Sequence, residues 1–302
     1  MYLHNNKELF KDLIANTSEY FGIDFAIVEK DYYVTMILKV LSRKTNLCVF
    51  KGGTSLSKAY NIINRFSEDV DITFSEHIGA ARRKKIKYSI VESISKELDI
   101  PISNFNDTES DKDLNCYLFQ YKSMETEIAE ELLPEVRLEV SLNSYSFPYV
   151  EKEIDCYICR FLEKENPSII EKFDLGKFKM KTQSLERTFI DKIFALCDYY
   201  MIGKSKRYSR HLYDLFKLST YITINNTFKE LIKEVRKQRR SMVNCPSAKN
   251  GVNVESIVKE FCQNDFYKND YELITKYFIN DNVDYKTVKE NILSIVDKGI
   301  FN

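Results

Sequence analysis

The sequence predicts an α+β fold, with short strands and helices mixed through residue 182 and a mostly helical C-terminal lobe after it. Three observations predict it. Apolar residues recur at helical spacing over Lys7 to Tyr20 and again over Ala26 to Leu41, where Ile27, Val34, Ile37, Leu38 and Leu41 line one face. Strict alternation marks Val70 to Phe74 and Val136 to Leu142 as strands. From Leu185 onward the pattern is almost purely helical.

In chain order, Leu47 to Phe50 is a short apolar strand that runs into Gly52-Gly53, and Thr54 to Ile63 reads as the helix that begins there. On the next strand Val70, Ile72 and Phe74 point one way, and Asp69, Asp71 and Thr73 the other. Arg82 to Leu98 is helical. Tyr117 to Tyr121 is a strand; in the one after it, Val136, Leu138, Val140 and Leu142 alternate with Arg137, Glu139 and Ser141. Ile154 to Phe161 is expected to be a further strand, as is Phe178 to Lys181. Helices are expected over Leu185 to Tyr200, Ser209 to Tyr221, Phe228 to Arg239, Val254 to Phe261, Tyr271 to Phe278 and Tyr285 to Val296. The expected domains are 1–182 and 183–302, with no internal repeat.

Composition narrows the function classes. The 302 residues carry 45 basic and 45 acidic side chains, so a globally basic coat for nucleic acid is excluded. A hydrophobic share of 44%, with 20 Phe and 20 Tyr, can fill a sizeable core. Met1 to Leu9 lacks the basic-then-apolar pattern of a secretory signal, and no stretch approaches the roughly 18–20 apolar residues of a membrane helix, so a cytoplasmic protein without membrane contact is expected. The 7 cysteines, an odd number, suit reduced thiols. Cys156 and Cys159 form one CxxC without the second pair a zinc site needs. Locally the charge is uneven: residues 177–240 hold 16 Lys or Arg against 6 Asp or Glu, and residues 92–165 hold 7 against 18. A polyanion is the natural partner of the basic stretch; attraction between the two regions is the alternative.

One constellation carries chemistry. A strand that ends in Gly52-Gly53 and opens a helix presents bare backbone N–H groups, with Lys51 before them and the hydroxyls of Thr54 and Ser55 after, which suits a triphosphate. Asp69 and Asp71, at alternate positions of the following strand, send two hard oxygen ligands from one face and can hold Mg²⁺ or Mn²⁺. Each signal is common alone; the order strand, glycine pair, helix, loop, acidic strand is specific. Gly203-Lys204-Ser205 only imitates the tail of a phosphate-binding P-loop, since Asp198 occupies the place of the earlier glycine.

The chain resembles the AbiEii-type abortive-infection nucleotidyltransferase toxins, members of the polymerase-β-like nucleotidyltransferase superfamily. The resemblance lies in Glu29-Lys30-Asp31-Tyr32, Phe50 to Leu56, Arg65 to Asp71, Arg137-Leu138-Glu139-Val140, Leu185 to Lys192 and Arg210 to Leu215. It implies a nucleotidyltransferase fold, a small mixed β-sheet flanked by helices, followed by the helical lobe. It further implies a toxin that uses Mg²⁺ and an NTP to add NMP to an RNA acceptor, the tRNA 3′ end foremost, under the control of a cognate antitoxin. Carried onto this sequence, Ser67 and Asp69 match the serine and metal-binding aspartate of the family motif, and Asp71 its second aspartate. Glu139 sits at the third acid, Lys192 at the motif lysine of a later helix, and Asp214 at the aspartate of the last motif. Asp191 departs from the glutamate expected before that lysine, and beyond Asp214 little is recognisable.

The residues themselves leave alternatives open. Glu139 fits either a carboxylate cluster or a surface pair with Arg137. Lys192 is either a phosphate-neutralising cation or an ordinary snorkelling lysine, and Asp214 is spaced to pair with Arg210. His211 reads as structural. The run Arg236 to Arg240 is either a phosphate-binding stripe or a solvated face. Two rival functions stay open beside RNA modification: transfer of a nucleotidyl or phosphoryl group to a protein hydroxyl, and a non-catalytic nucleotide-binding module.

Overall fold

The computed structural model describes residues 1–65, 67, 69–110, 112–125 and 133–301. They form two compact units, one of residues 1–60 with 67–182, the other of 61–66 with 183–302. Segment 61–66, placed with the first region on sequence, thus belongs to the second unit.

The first unit opens with α1 (Lys7–Phe21) and α2 (Phe25–Lys44). The Asn6 side chain accepts from Leu9 N–H and Asp24 from Ala26 N–H, so each helix starts on a side-chain cap. Then come β1 (Cys48–Lys51), α3 (Gly52–Lys58), β2 (Val70–Phe74), α4 (Ala80–Lys85), a π-helical turn at Ile86–Val91, and α5 (Glu92–Leu98). β3 (Leu114–Gln120), β4 (Glu135–Tyr145), β5 (Tyr149–Ile154), α6 (Tyr157–Glu165), α7 (Pro167–Lys172) and β6 (Phe178–Gln183) complete it. The described strands form one sheet in the order β3-β4-β2-β1-β6-β5. It is mixed: β1 runs antiparallel to β2 and parallel to β6, and β4 runs parallel to β2 and antiparallel to β3.

Register decides what this sheet displays. Ile72 lies between Phe50 and Val140, and all three are buried in the core that α2 covers with Val34, Ile37, Leu38 and Leu41. One position earlier, Asp71 lies between Lys51 and Glu139. Because side chains alternate along each strand, the polar row must leave by the face opposite the core.

Two expectations are corrected. Ile154 to Phe161 is not a strand: β5 ends at Ile154 and α6 begins at Tyr157, its first turn capped by the Cys156 sulfur, which accepts from Cys159 N–H at 3.4 Å. Ile158, Cys159 and Leu162 are buried at helical spacing, a pattern that a short apolar run does not separate from a strand. The helix expected over Thr54 to Ile63 stops at Lys58, and Asn61 takes a left-handed φ of 57° where the chain turns away.

The second unit is helical: α8 (Leu185–Met201), α9 (Arg210–Ser219), α10 (Asn226–Arg240), α11 (Val254–Gln263), α12 (Lys268–Asp270), α13 (Lys276–Phe278) and α14 (Tyr285–Val296), with a π-helical turn at Tyr271–Thr275. Side chains of Ser184, Asn225, Asn253 and Asp284 cap four of these helices. Among the described residues no helix is long and apolar enough to cross a membrane.

Candidate functional site

The glycine pair and the acidic strand meet in the first unit. Gly52 takes φ +77°, and a Cβ built on it would stand 2.0 Å from Asp71 Oδ2. Glycine is therefore required twice over, by its backbone conformation and by the carboxylate pressed against it. Glu139 lies beside Asp71 in the ladder, and Asp69, the residue before β2, is near enough for its charge to act on the same Glu139 carboxyl. Burial, then the negative charges of Asp71 and Asp69, push the Glu139 carboxyl up to about 7, while Lys51 pulls the other way. The protonated Glu139 donates a hydrogen bond to Asp71. Across β3, burial and the same Glu139 charge raise the Cys116 thiol to about 11, which leaves it an inert neighbour.

The remaining residues of the glycine turn hold its shape. Lys51 Nζ donates to Ser141 Oγ at 3.0 Å, so the ammonium lies along the sheet beside the acids. The buried Thr54 hydroxyl donates to the Asp69 carbonyl at 2.5 Å and lies 2.9 Å from the Ser67 hydroxyl, tying the helix to the segment before β2. Ser55, also buried, donates to the Gly52 carbonyl at 2.8 Å. Both hydroxyls, expected to face a triphosphate, are spent on the turn in this conformation. Its backbone at Gly52 and Gly53 is what stays partly exposed.

Among the described residues no three His, Cys, Asp or Glu side chains form a ready-made metal cage. The donors fit a hard divalent ion all the same: the charges of Asp71 and Asp69 both act on Glu139, whose carboxyl burial and these charges push up to about 7. Mg²⁺ is commonly held by one or two carboxylates and completed by phosphate oxygens and water.

Lys192 and Asp214 meet in the second unit, in a charge cluster that the sequence did not reveal as a whole. Asp214, 0% exposed, accepts from Lys192 Nζ at 2.6 Å and from Arg65 Nε and Nη2 at 2.7 and 2.8 Å, a bidentate grip across 149 residues of sequence. The two cations hold its carboxyl far below the usual range. Burial lowers Lys192, whose ammonium lies 3.3 Å from His211 Nδ1. Burial and the adjacent cations push His211 well below its ordinary value, so its ring is neutral. Arg210 adds a further positive charge beside Lys192, and its buried Nε has no hydrogen-bond partner among the described residues. Two cations thus share one carboxylate, and a third stands beside Lys192. Two other acids of α8 are occupied: Asp191 by Arg187 and Arg239, Asp198 by Arg239. An excess of buried positive charge with an orphaned donor suits an anionic group such as phosphate.

Two local pairings expected from spacing are replaced. Arg137 pairs with Glu135 at 3.1 Å and not with Glu139. Asp214 takes Arg65 and Lys192, not the Arg210 one helical turn before it. The run Arg236 to Arg240 is split: Lys237 and Arg240 are exposed, whereas the half-buried Arg239 bridges to Asp198, Gln238 accepts from Arg187, and Arg236 donates to the Val252 carbonyl. Arg65 and Arg210 are the functional candidates that sequence reasoning passed over. Their only signal was membership of the two motifs, with nothing to show which acid each would meet.

Comparison with known proteins adds the following. The family described as "Nucleotidyl transferase AbiEii toxin, Type IV TA system" matches residues 37–293. Among solved structures, JHP933 from Helicobacter pylori is similar at 16% identity and a TM-score of 0.43, over 87% of this chain and 91% of that one. MenT4, a nucleotidyltransferase toxin from Mycobacterium tuberculosis, is similar at 16% identity and a TM-score of 0.44, over 94% of this chain and 98% of that one. No curated protein matches the chain.

Proposed function

The chain belongs to the AbiEii family of nucleotidyltransferase toxins of type IV toxin–antitoxin systems, and from that premise we propose that it transfers a nucleoside monophosphate from an NTP to an RNA acceptor, the tRNA 3′ end foremost. The observation that carries the reading is the row Lys51, Asp71 and Glu139 across β1, β2 and β4, with the charge of Asp69 acting on Glu139 and the Gly52 turn packed against Asp71. Three carboxylates gathered beside a single lysine cost stability unless a further cation is to join them.

In the reaction, the acceptor 3′-hydroxyl oxygen bonds to the α-phosphorus of the NTP. The bond from that phosphorus to the bridging oxygen of the β-phosphate breaks, pyrophosphate leaves, and the hydroxyl proton passes to the carboxylate face. Asp69 and Asp71 would hold Mg²⁺ or Mn²⁺, with Glu139 beside them; when bound, the ion neutralises phosphate charge and polarises the reacting phosphoryl group. The Gly52 and Gly53 backbone cradles the triphosphate, and Thr54 and Ser67 fix the segment from which Asp69 projects. Lys192 and Arg210 supply positive charge for phosphate, and Asp214 orients Lys192. A toxin of this kind requires a cognate antitoxin, and its nucleotide and RNA substrates put its action in the cytoplasm.

The test is to incubate purified protein with each labelled NTP, Mg²⁺ and total tRNA. Labelled RNA is expected. A folded protein that leaves RNA unlabelled sinks the acceptor assignment, and label on a polypeptide moves the acceptor to a protein hydroxyl. Toxicity that survives Asp69→Ala would point to a non-catalytic binding module.

A further inference from the structure

We propose that the loop from Ile202 to Ser209, together with Tyr199 and His211, is a docking platform for a single-stranded RNA end; the proposal rests on the RNA-acceptor reading above and names the surface of the second unit that would hold that acceptor. Three observations meet there: unbalanced charge, stacked rings and a preset backbone.

The charge is unbalanced. Lys204, Lys206 and Arg207 are exposed, Arg210 follows, and residues 199–213 contain no Asp or Glu. The neighbouring acids are engaged otherwise: Asp198 with Arg239 and Ser247, Asp214 with Arg65 and Lys192, and Asp270 with the backbone N–H groups of Arg207 and Ser209. A strip of exposed cations that outnumbers its one adjacent carboxylate, Asp270, is the footprint of a phosphate backbone.

The rings are arranged to stack. Tyr199 and Tyr208 lie face to face with centroids 3.5 Å apart, and the ring of His211 is nearly parallel to Tyr199 at 6.1 Å. Both tyrosines are partly exposed. Planar aromatic surfaces beside cations are the means by which unpaired bases are held, because every base has a π-face whereas a duplex hides it. The stack leads directly to Lys192, which His211 touches at 3.3 Å.

The backbone is set in advance. Asp270, buried, accepts from Arg207 N–H at 2.7 Å and Ser209 N–H at 3.0 Å, and the Ser209 and Thr275 hydroxyls lie 2.7 Å apart. Arg207 is held at φ +69°, a left-handed conformation that favours glycine. Glycine would be relaxed there, so the backbone bond to Asp270 holds an exposed guanidinium in a fixed, strained presentation.

The experiment is fluorescence anisotropy of a short fluorescein-labelled single-stranded RNA with the full chain, repeated with the same sequence as duplex, beside thermal melting and labelled-NMP transfer to tRNA. Arg207→Gly should keep or raise the melting temperature yet bind single-stranded RNA several-fold more weakly. Lys204→Gln with Lys206→Gln should lower the slope of log affinity against log salt by about 1.4, at about 0.7 for each single-strand phosphate no longer neutralised. Tyr208→Ala should weaken binding roughly tenfold while Tyr208→Phe retains it. Wild-type affinity in the folded Arg207→Gly and double-lysine variants overturns the platform, as does equal affinity for duplex or binding of an acidic polypeptide in place of RNA. Transfer to tRNA with an unchanged KM in those variants overturns the platform and leaves the enzyme's proposed reaction standing. Single-strand binding that depends on these residues, in a protein that labels no RNA, supports the platform and overturns the proposed reaction.

Discussion

The acidic row of the first unit and the cationic cluster of the second are built on opposite terms. Around Asp71, like charges crowd one another, one carboxyl retains its proton, and the Gly52 backbone is pressed against an oxygen. Around Asp214, opposite charges are matched by three bonds between 2.6 and 2.8 Å and shut away from water. The first arrangement sacrifices stability in favour of a ligand. The second contributes to the fold while leaving Arg210 and Lys192 a surplus of positive charge. The same residue chemistry therefore predicts different outcomes on mutation in the two places.

The largest expected effect separates activity from stability. Asp71→Asn should reduce nucleotidyl transfer on the order of a thousandfold, with a melting temperature equal to or above wild type because repulsion with Asp69 and Glu139 is relieved. A variant that is both inactive and strongly destabilised would show that the row supports the fold. Next, Asp214→Asn should cost about 3–5 kcal/mol in denaturant unfolding, since it strands Arg65 and Lys192 in the interior. Lys192→Met should cost less, because Asp214 keeps both bonds from Arg65. Equal losses in the two variants would erase that asymmetry.

Acid titration sharpens the contrast. With Glu139 raised to about 7, the native chain retains a proton that the unfolded chain releases from about pH 4.5 upward, so the row loses stability as pH rises through that window. His211 has the opposite sign: it stays neutral when folded, whereas the unfolded ring takes a proton below about 6.5, so the cluster loses stability as pH falls. Each effect is bounded by about 1.4 kcal/mol per pH unit per proton. Urea midpoints from pH 5 to 8 should lose the first trend in Glu139→Gln and the second in His211→Asn, and a profile unchanged by either variant would contradict both assignments. Mg²⁺ affinity should weaken below about pH 7, as a protonated carboxyl is a poor ligand. The smallest effect belongs to Arg137→Gln: its half-exposed pair with Glu135 contributes about 0–1 kcal/mol, and the melting temperature should scarcely move.

The sequence disclosed more of the first unit than of the second site. Alternation gave β2 and helical period gave α14 to the residue, because in both the buried face repeats without interruption. Asp69, expected on the same strand as Asp71, precedes β2, while the place of Asp71 and Glu139 on strands was legible from alternation. That Glu139 pairs across the ladder with Asp71 was not, because register is settled by strands 68 residues apart. Ile154 to Phe161 was misread for want of a usual cap, with Cys156 standing where Ser, Thr, Asp or Asn is customary. Arg65 and Asp214 lie too far apart for any spacing rule, and Arg239 looked like surface charge until burial beside Asp191 and Asp198 consumed it.

The short segment 61–66 has a consequence for how such proteins are cut and recombined. It leaves the first unit after α3, lends Asn64 and Arg65 to Tyr213, Asp281 and Asp214, and returns before β2. A gene fragment beginning at residue 183 would encode every helix of the second unit and still lack the guanidinium that balances its deepest carboxylate. The two units are therefore not interchangeable modules: a chimera that grafts one relative's C-terminal half onto another's N-terminal half imports a lock without its key unless this six-residue crossing travels with it.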